Sequence, residues 1–254
     1  LPANNIQMER VITLPDKGKC VFVGDTHGDI IASKVILKNF LYKNNYYVVF
    51  LGDYVDRGKR SKENIDYLLE KREKYENLIL LAGNHEVYPI CECSPSNFWE
   101  ALSPEEFNYY KEIFLKLPWC VTGNNLIGVH AAIPDVEKLL DIENIEVGGK
   151  KWFIMLWGDF VEKKGELLGS FLGRPKLGKD YFEKVMGKLK KNVLIRSHDP
   201  KAKEVMFDKR CLTIFTSSEY GVERKIAIVD LEKDIKNVDD IELVSLDLPD
   251  LNGI

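Results

Sequence analysis

The chain has 254 residues, of which 45% are hydrophobic and 30% charged, and its formal net charge is -4. This length and apolar content suffice for one sizeable core, so we expect a single domain over residues 1–254. The slightly acidic balance argues against nucleic acid or an anionic membrane as a partner. Because no apolar run approaches the roughly 20 residues that span a bilayer and no signal-peptide pattern opens the chain, we expect a cytoplasmic protein.

Short β-branched runs alternate with amphipathic stretches over the first 90 residues. The runs CVFV, YYVVFL and NLILL predict strands, and the segments between them have helical periodicity, with Ser61 as a candidate N-cap. This order predicts a β-α-β-α-β unit with a mostly parallel sheet. Each strand ends in a glycine followed by polar residues, in GDTHGD, GDYVDRG and GNHE. Since ligands bind beyond the carboxyl ends of such strands, the three ends are predicted to share one crevice.

The rest of the chain predicts an aromatic-rich helical insertion at about 94–117, followed by a strand that ends at His130. A helical and loop segment is expected up to about residue 191. The closing third is β-rich, with strands at about 193–247. We expect these strands to form a second sheet that packs on the first.

The five cysteines are odd in number and scattered, which does not match a secreted disulfide framework, so reduced thiols are expected. Cys91 and Cys93 form a C-x-C pair that could bind a soft metal, but no second pair with zinc-site spacing follows. Ordinary, partly buried thiols are the simpler interpretation of this pair. A cysteine-dependent phosphatase is disfavoured, because no cysteine lies between a histidine and a short loop that ends in arginine.

All four histidines follow an apolar strand directly, beside Asp, Asn, Gly or Ser. A single histidine in such a place is more often structural, but the entire complement at strand ends predicts a metal or catalytic site. The oxygen and nitrogen donors at these ends are Asp25, His27, Asp53, Asn84, His130 and His198. This mixed set suits two first-row transition ions with one bridging carboxylate, which is a hydrolytic arrangement when the ions lie roughly 4 Å apart.

The motifs GDTHG, GDYVDRG and GNHE, in this order and followed by His130 and His198, resemble the phosphoprotein phosphatase family of serine/threonine phosphatases, within the metallophosphoesterase superfamily. The similarity runs from residue 20 to about 221, and the short flanks are closer to archaeal or bacterial members. It implies a four-layer α/β fold, in which two mixed β-sheets pack as a sandwich with helices on the outer faces. It also implies a monomer that hydrolyses phosphoproteins by attack of a hydroxide that bridges two divalent ions, manganese in the first place, with iron and zinc as alternatives.

The resemblance implies a role for each matched position. Asp25 and His27 would bind the first ion, Asp53 would bridge both, and Asn84, His130 and His198 would bind the second, with Asn84 also contacting substrate. Arg57 and Arg174 would hold phosphate oxygens, and Tyr220 would line the substrate site. His85 would protonate the leaving alkoxide and be oriented by Asp56.

Several positions depart from the family pattern. His130 is followed by two alanines where glycines are usual, Ala82 replaces an arginine, and WGD and TSSEY replace the usual motifs while they retain Asp159 and Tyr220. These changes leave substrate preference open. A dinucleoside polyphosphate hydrolase, a broad phosphodiesterase and a non-catalytic phosphoprotein-binding scaffold are the alternatives. The sequence does not identify a regulatory subunit. Glu86 is expected only to support the neighbouring site residues.

Overall fold

The computed structural model of the chain describes residues 9–246, so the last residue of the predicted C-terminal strand region lies outside it. The helices are α1 (Ile30–Ile36), α2 (Ser61–Lys74), α3 (Asn97–Glu100), α4 (Pro104–Phe114), α5 (Lys150–Trp157) and α6 (Lys179–Leu189). The strands are β1 (Val11–Thr13), β2 (Lys19–Val23), β3 (Tyr46–Phe50), β4 (Leu78–Leu80), β5 (Cys120–Gly123), β6 (Leu126–Val129), β7 (Asp159–Phe160), β8 (Leu167–Phe171), β9 (Arg174–Leu177), β10 (Val193–Arg196), β11 (Val205–Met206), β12 (Cys211–Thr213), β13 (Lys225–Asp230) and β14 (Glu242–Ser245).

The strands form two large sheets and one small sheet. The first has the order β14-β13-β2-β3-β4, with β2, β3 and β4 parallel and β13 antiparallel to β2. The second has the order β1-β5-β6-β10-β12-β11, with β6, β10 and β12 parallel. A parallel bridge between Asp25 and Phe215 joins the segments that follow β2 and β12. The carboxyl ends of these strands therefore meet at one edge of the two sheets.

Alternating side chains of the strands divide the core into layers. Phe22 and Val49 of the first sheet share one buried cluster with Val193 and Ile195 of the second, which places this cluster between the sheets. Contact across the layer is close, since a Cβ at Gly128 would lie only 2.6 Å from the Phe22 ring.

The outward-facing side chains pack under the helices. Val21 and Val48 belong to a second cluster that includes Ile36 of α1 and Leu68 of α2, and the same cluster contains Phe182 of α6. Burial on both faces explains why β2, β3 and β10 are continuous apolar runs. The predicted sandwich of two mixed sheets with helices outside is confirmed, as is the β2-α1-β3-α2-β4 unit.

The predicted helical insertion corresponds to α3 and α4. Ser103 begins α4 with a capping box, because its hydroxyl accepts from the Glu106 N–H and the Glu106 carboxylate accepts from the Ser103 N–H. Within residues 9–246, none of the helices has both the length and the apolar content needed to cross a bilayer.

Four details of the prediction were wrong. Ser61 is the first residue of α2, not its N-cap, and its hydroxyl donates to the Gly58 carbonyl at 2.8 Å. The segment before residue 191 contains the small sheet β7-β9-β8, whose longest strand, β8, is largely exposed and lacks the alternation that marks a strand. β13 and β14 extend the first sheet instead of the second, because alternation identifies a strand but not its partner. The short strands β1 and β5 were not predicted.

Candidate active site

Loops from several strands meet at the shared edge, with residues 52–58 in the middle. The N–H groups of Thr26 and His27 donate to the Asp53 carbonyl at 3.0 and 2.9 Å, and the His85 N–H donates to Asp53 Oδ1 at 3.0 Å. Glycines permit this approach, because a Cβ at Gly52, where φ is +106°, would lie 2.5 Å from the Gly83 nitrogen. The predicted common crevice is therefore built by direct bonds between loops.

Two buried histidines each donate the Nδ1 proton of the ring to a main-chain carbonyl. His27 Nδ1 donates to the Val55 carbonyl at 2.7 Å, and His130 Nδ1 donates to the Leu51 carbonyl at 3.0 Å. In the neutral ring, the Nε2 atom then carries a lone pair. Both Nε2 atoms lie near one oxygen, Asp53 Oδ2, at 3.6 Å for His27 and 3.5 Å for His130.

Two groups of donor atoms share Asp53. On one side, Asp25 Oδ2 lies 3.7 Å from His27 Nε2. On the other side, His130 Nε2 lies 3.0 Å from Asn84 Oδ1 and 3.1 Å from His198 Nδ1. The six predicted ligands are thus brought together as two sets of oxygen and nitrogen atoms around a common carboxylate. This donor chemistry fits two transition ions, one on each side of Asp53.

His85 and Asp56 form a hydrogen-bonded dyad beside these donors. His85 Nδ1 donates to Asp56 Oδ2 at 2.7 Å, while the other carboxylate oxygen accepts from the Phe98 N–H at 2.8 Å. Trp99 Nε1 donates to the His85 carbonyl at 2.8 Å, so two residues of α3, Phe98 and Trp99, hold the dyad by hydrogen bonds. A ring nitrogen of His85 lies within 4.8 Å of donor atoms of His27 and Asp53. This is the orientation predicted for a proton donor whose second nitrogen is fixed by a carboxylate.

A pocket of about 680 Å³ opens beside the histidines, and its lining includes Arg57, Arg174, His198 and Tyr220. The guanidinium of Arg57 lies 5.1 Å from the Tyr220 ring centroid, and Arg174 forms an ion pair with Asp159. The Tyr220 hydroxyl lies 2.6 Å from His27 Nε2 and donates to Asp25 Oδ2 at 3.1 Å. The pocket therefore presents two positive side chains next to the donor cluster, as an anionic substrate requires.

The family model for calcineurin-like phosphoesterases matches residues 18–202, more than half of the chain. The chain belongs to this family. The matched region contains each predicted site residue except Tyr220. In the structure, Tyr220 nevertheless lies against His27 and Asp25.

Curated relatives of this phosphoesterase include a probable serine/threonine-protein phosphatase of Encephalitozoon cuniculi, 27% identical over 84% of this chain and 50% of the relative. The serine/threonine-protein phosphatase rdgC of Drosophila melanogaster is 27% identical over 78% of this chain and 34% of its own length. The chain thus spans half or less of these relatives. The solved structure of a serine/threonine phosphatase from Saccharomyces cerevisiae is similar to this chain with a TM-score of 0.76 at 21% identity. The matched part covers 94% of this chain and 84% of the yeast chain. The predicted membership of the metallophosphoesterase superfamily is confirmed.

The electrostatics of the phosphoesterase site favour bound cations. Burial raises the pKa of Asp25 to about 6 and the pKa of Asp53 well above its usual range, where the neighbouring Asp25 adds to the effect. Burial also lowers the pKa values of His27, His130 and His198 well below the usual imidazole value, so these rings are neutral. Neutral imidazoles beside carboxylates that lack compensating charge are ready metal ligands, since a cation would replace the protons.

Glu86 has a defined structural task in this site. It is fully buried, and its carboxylate accepts from three main-chain N–H groups, those of Asp53 at 2.8 Å, Tyr54 at 2.8 Å and Gly83 at 2.9 Å. Burial raises the pKa of Glu86 to about 7 despite these bonds. Glu86 therefore joins the loop after β4 to the loop that carries Asp53, in agreement with the supporting role expected from the sequence.

Sequence reasoning missed two neighbours of the site. Arg196 is fully buried at the end of β10, and no side-chain nitrogen of it has a hydrogen-bond partner among the described residues. Its charge, with that of Arg174, helps to keep His198 neutral. Cys93 Sγ lies 3.5 Å from His85 Nδ1. The position of Arg196 two residues before His198 was a usable signal, whereas the contact of Cys93 depends on a loop path that no local pattern fixes.

Proposed function

We propose that this phosphoesterase is a metal-dependent serine/threonine protein phosphatase that hydrolyses phosphomonoesters without a covalent intermediate. The observation that carries the proposal is that Asp53 Oδ2 lies at nearly equal distances from two histidine nitrogens, 3.6 Å from His27 Nε2 and 3.5 Å from His130 Nε2. One carboxylate shared by two donor sets is the arrangement of a two-ion hydrolytic centre. The serine/threonine phosphatases among the relatives support the substrate class.

The proposed ligands are the six predicted from the sequence. One ion would be held by Asp25, His27 and Asp53, and the other by Asp53, Asn84, His130 and His198. The mixed donors favour first-row transition ions, and manganese is our first expectation, with iron and zinc as alternatives. When bound, such a pair supplies an activated water nucleophile and neutralises negative charge on the phosphoryl group.

The chain's own side chains would orient the phosphoryl group. Arg57 and Arg174 both line the pocket, Arg57 from the loop of residues 52–58 and Arg174 from the start of β9, and each guanidinium can hold two phosphate oxygens at once. Asp159 pairs with Arg174 and lies 3.7 Å from His198 Nε2, so it links the arginine to the proposed ion ligands. Tyr220 lines the same pocket, Asn84 lies against His130 in the donor cluster, and these two residues complete the proposed substrate contacts.

His85 is proposed to give a proton to the oxygen of the departing serine or threonine. Burial and the positive charges of Arg57 and Arg174 lower the pKa of His85 to about 3, so its ring is neutral before substrate binds. A phosphate dianion cancels that repulsion and favours the protonated ring. Burial raises the pKa of Asp56 to about 7. Its carboxylate accepts the Nδ1 hydrogen bond of His85 and so keeps the ring oriented.

The test is one panel of substrates, each with manganese, magnesium, zinc and iron. It contains phosphoserine, phosphothreonine and phosphotyrosine peptides and diadenosine tetraphosphate. We expect the highest kcat/KM for phosphoserine and phosphothreonine peptides with manganese. Preferred turnover of diadenosine tetraphosphate would identify a nucleotide hydrolase instead. Binding of phosphopeptides without turnover under any metal would identify the scaffold.

The cytoplasmic location, the monomeric state and the absence of nucleic-acid and membrane partners stay predictions. A single experiment checks the state of assembly, namely light scattering at several protein concentrations. We expect the mass of one chain throughout. A mass that rises with concentration would contradict the monomer.

A further inference from the structure

The C-x-C pair noted in the sequence is not accounted for by the two-ion centre. No disulfide joins Cys91 to Cys93, and both are only partly buried. Cys93 Sγ approaches His85 Nδ1 to 3.5 Å, on the side where Asp56 Oδ2 lies 2.7 Å from the same nitrogen. Donor atoms of Asp56, His85 and Cys93 all lie within 4.8 Å of one another. The oxygen of Asp56 and the sulfur of Cys93 thus both approach His85 Nδ1, the ring nitrogen that the proposed proton transfer to substrate does not use.

We propose that Asp56, His85 and Cys93 form a third metal site, distinct from the two-ion centre, that binds Zn²⁺ and inhibits the enzyme by capturing His85 Nδ1. Binding at this site does not depend on the proposed function. Only the inhibition rests on it.

The distances suit tetrahedral zinc. Bond lengths of about 2.0–2.2 Å to nitrogen and oxygen and about 2.3 Å to sulfur place tetrahedral ligands roughly 3.4–3.6 Å apart. The separation of 3.5 Å between Cys93 Sγ and His85 Nδ1 already matches this geometry. The separation of 2.7 Å between Asp56 Oδ2 and His85 Nδ1 would widen by less than about 1 Å as the ion replaces the shared proton.

Two parts of the site are held in place before any ion binds. The second oxygen of Asp56 accepts from the Phe98 N–H, and the main chain of His85 accepts from Trp99 Nε1. The loop that carries Cys93 is the part able to adjust, because its side chain is only half-buried and gives the site access to solvent. Fixed ligands with one adjustable partner lower the cost of binding an ion.

The donor set separates this site from the two-ion centre by its sulfur ligand. A thiolate with an imidazole and one carboxylate selects zinc over manganese or magnesium, which prefer oxygen-rich sites. The two-ion centre contains no sulfur ligand among its proposed residues. A bond from the ion to sulfur therefore distinguishes this site from the two-ion centre, whose mixed donors accept zinc as well as manganese.

The chemical consequence is loss of acid catalysis. When zinc binds, the Cys93 thiol would release its proton to solvent, the single proton of the neutral His85 ring would move from Nδ1 to Nε2, and bonds to the ion would form from the sulfur, from Nδ1 and from the Asp56 carboxylate. An imidazole bound to metal through Nδ1 gives up its Nε2 proton far less readily than an imidazolium does. Inhibition should therefore be strong for phosphoserine peptides, whose leaving group needs a proton, and weak for p-nitrophenyl phosphate.

The first test is spectroscopic and needs no turnover. Co²⁺, a probe for zinc, is titrated into the manganese-loaded protein while the near-ultraviolet thiolate-to-metal absorption is recorded. We expect the band in the wild type and in the matched control Cys91→Ser, and its absence in Cys93→Ser. A wild type without the band, or a full band in Cys93→Ser, would overturn the site.

The second test measures zinc inhibition of the manganese-loaded enzyme. Cys93→Ser should retain basal activity and require about tenfold or more zinc for half-inhibition, whereas Cys91→Ser should match the wild type. Equal zinc sensitivity in Cys93→Ser and the wild type would overturn the inhibitory role. If the protein hydrolyses no phosphoester, the proposed function fails while the cobalt band still decides whether the metal site exists.

Discussion

At the scale of single residues, the site depends on which atom of each side chain is already engaged. The Nδ1 protons of His27 and His130 go to main-chain carbonyls, which leaves both Nε2 atoms facing Asp53. The same logic applied to His85 gives a different outcome, because its Nδ1 donates to a carboxylate. Histidine thus serves as a predicted metal ligand at positions 27, 130 and 198 and as a predicted acid at position 85.

Asp53→Asn tests the shared carboxylate. The amide keeps the shape but removes the charge that both ions would share, so we expect both ions to bind more weakly and kcat to fall at least about 100-fold. Metal content and phosphopeptide turnover are the measurements, with the exposed Asp16→Asn as the charge-matched control. Full metal content with near wild-type activity would refute the bridging role.

His85→Gln tests proton donation. The variant should bind metal normally, while the rate on phosphoserine peptides falls by about 10²- to 10⁴-fold because the alkoxide departs without a proton. The rate on p-nitrophenyl phosphate should fall much less, since nitrophenolate leaves unaided. Equal losses on both substrates would count against His85 as the acid.

The raised pKa of Asp25 predicts how metal affinity depends on pH. In the ion-free protein this carboxyl holds its proton up to about pH 6 instead of about pH 4, so the metal must displace a proton over a wider range. Apparent affinity for manganese should therefore fall as the pH is lowered, by about tenfold per pH unit below pH 6 for each proton displaced, and the raised pKa of Asp53 acts in the same direction. The lowered pKa values of His27 and His130 keep these rings from competing in this range. Calorimetric titrations at pH 5, 6, 7 and 8 check this, and equal affinity at pH 5 and 7 would contradict it.

At the scale of elements, the loops that end the strands are held in unusual conformations. Five site residues have positive φ angles, namely His27, Asp53, Asp56, Arg57 and His198. For residues other than glycine this backbone costs about 1–2 kcal/mol each. It persists because neighbouring loops bond to each other, above all through Glu86, and that strain marks the site as functional.

Glu86→Gln tests this connection between loops. The amide nitrogen would face a main-chain N–H that the carboxylate now accepts, and at least one buried donor would lose its partner. We expect a loss of about 1–3 kcal/mol in the free energy of unfolding, measured with urea, together with weaker metal binding. Glu63→Gln on the exposed side of α2 is the control and should change stability by less than about 0.5 kcal/mol. Unchanged stability of Glu86→Gln would show that the bonds contribute nothing.

At the scale of the whole molecule, the two large sheets are in close contact across their shared core. A Cβ at Gly128 would lie 2.6 Å from the Phe22 ring and 2.8 Å from a methyl group of Val121. Gly187 on α6, in contrast, has nothing within 4 Å of such a Cβ. The same substitution therefore has opposite expected effects at the two positions.

Gly128→Ala should lower the free energy of unfolding by about 1–3 kcal/mol, because the sheets must separate to admit a methyl group. Gly187→Ala should raise it by about 0.5–1 kcal/mol, because alanine favours the helix without a clash. Urea denaturation of both variants is the measurement. A stabilised Gly128→Ala variant would contradict the tight packing between the sheets.

The sequence was sufficient where burial imposes a pattern. The strands β2, β3 and β4 are apolar runs between amphipathic helices, and their ends carry the polar residues, so both the unit and the crevice could be predicted. The partners of β13 and the small sheet β7-β9-β8 could not, because sheet pairing depends on tertiary contacts and exposed strands leave no alternation. The same limit explains why the proximity of Cys93 to His85 appears only in the structure.

The loop of residues 52–58 accepts hydrogen bonds from several neighbouring loops of the proposed two-ion centre. The β8-β9 hairpin, in contrast, projects into solvent, with Leu172 86% exposed. It supplies Phe171, Leu172 and Arg174 to the pocket wall. The two can therefore vary independently. A change in the length of the loop of residues 52–58 would disrupt the two-ion centre, but residues 167–173 could be replaced with the proposed chemistry intact, provided that Arg174 is kept. We therefore expect that substrate preference in this phosphoesterase changes when this segment is replaced, and variant libraries confined to residues 167–173 are an efficient way to alter it.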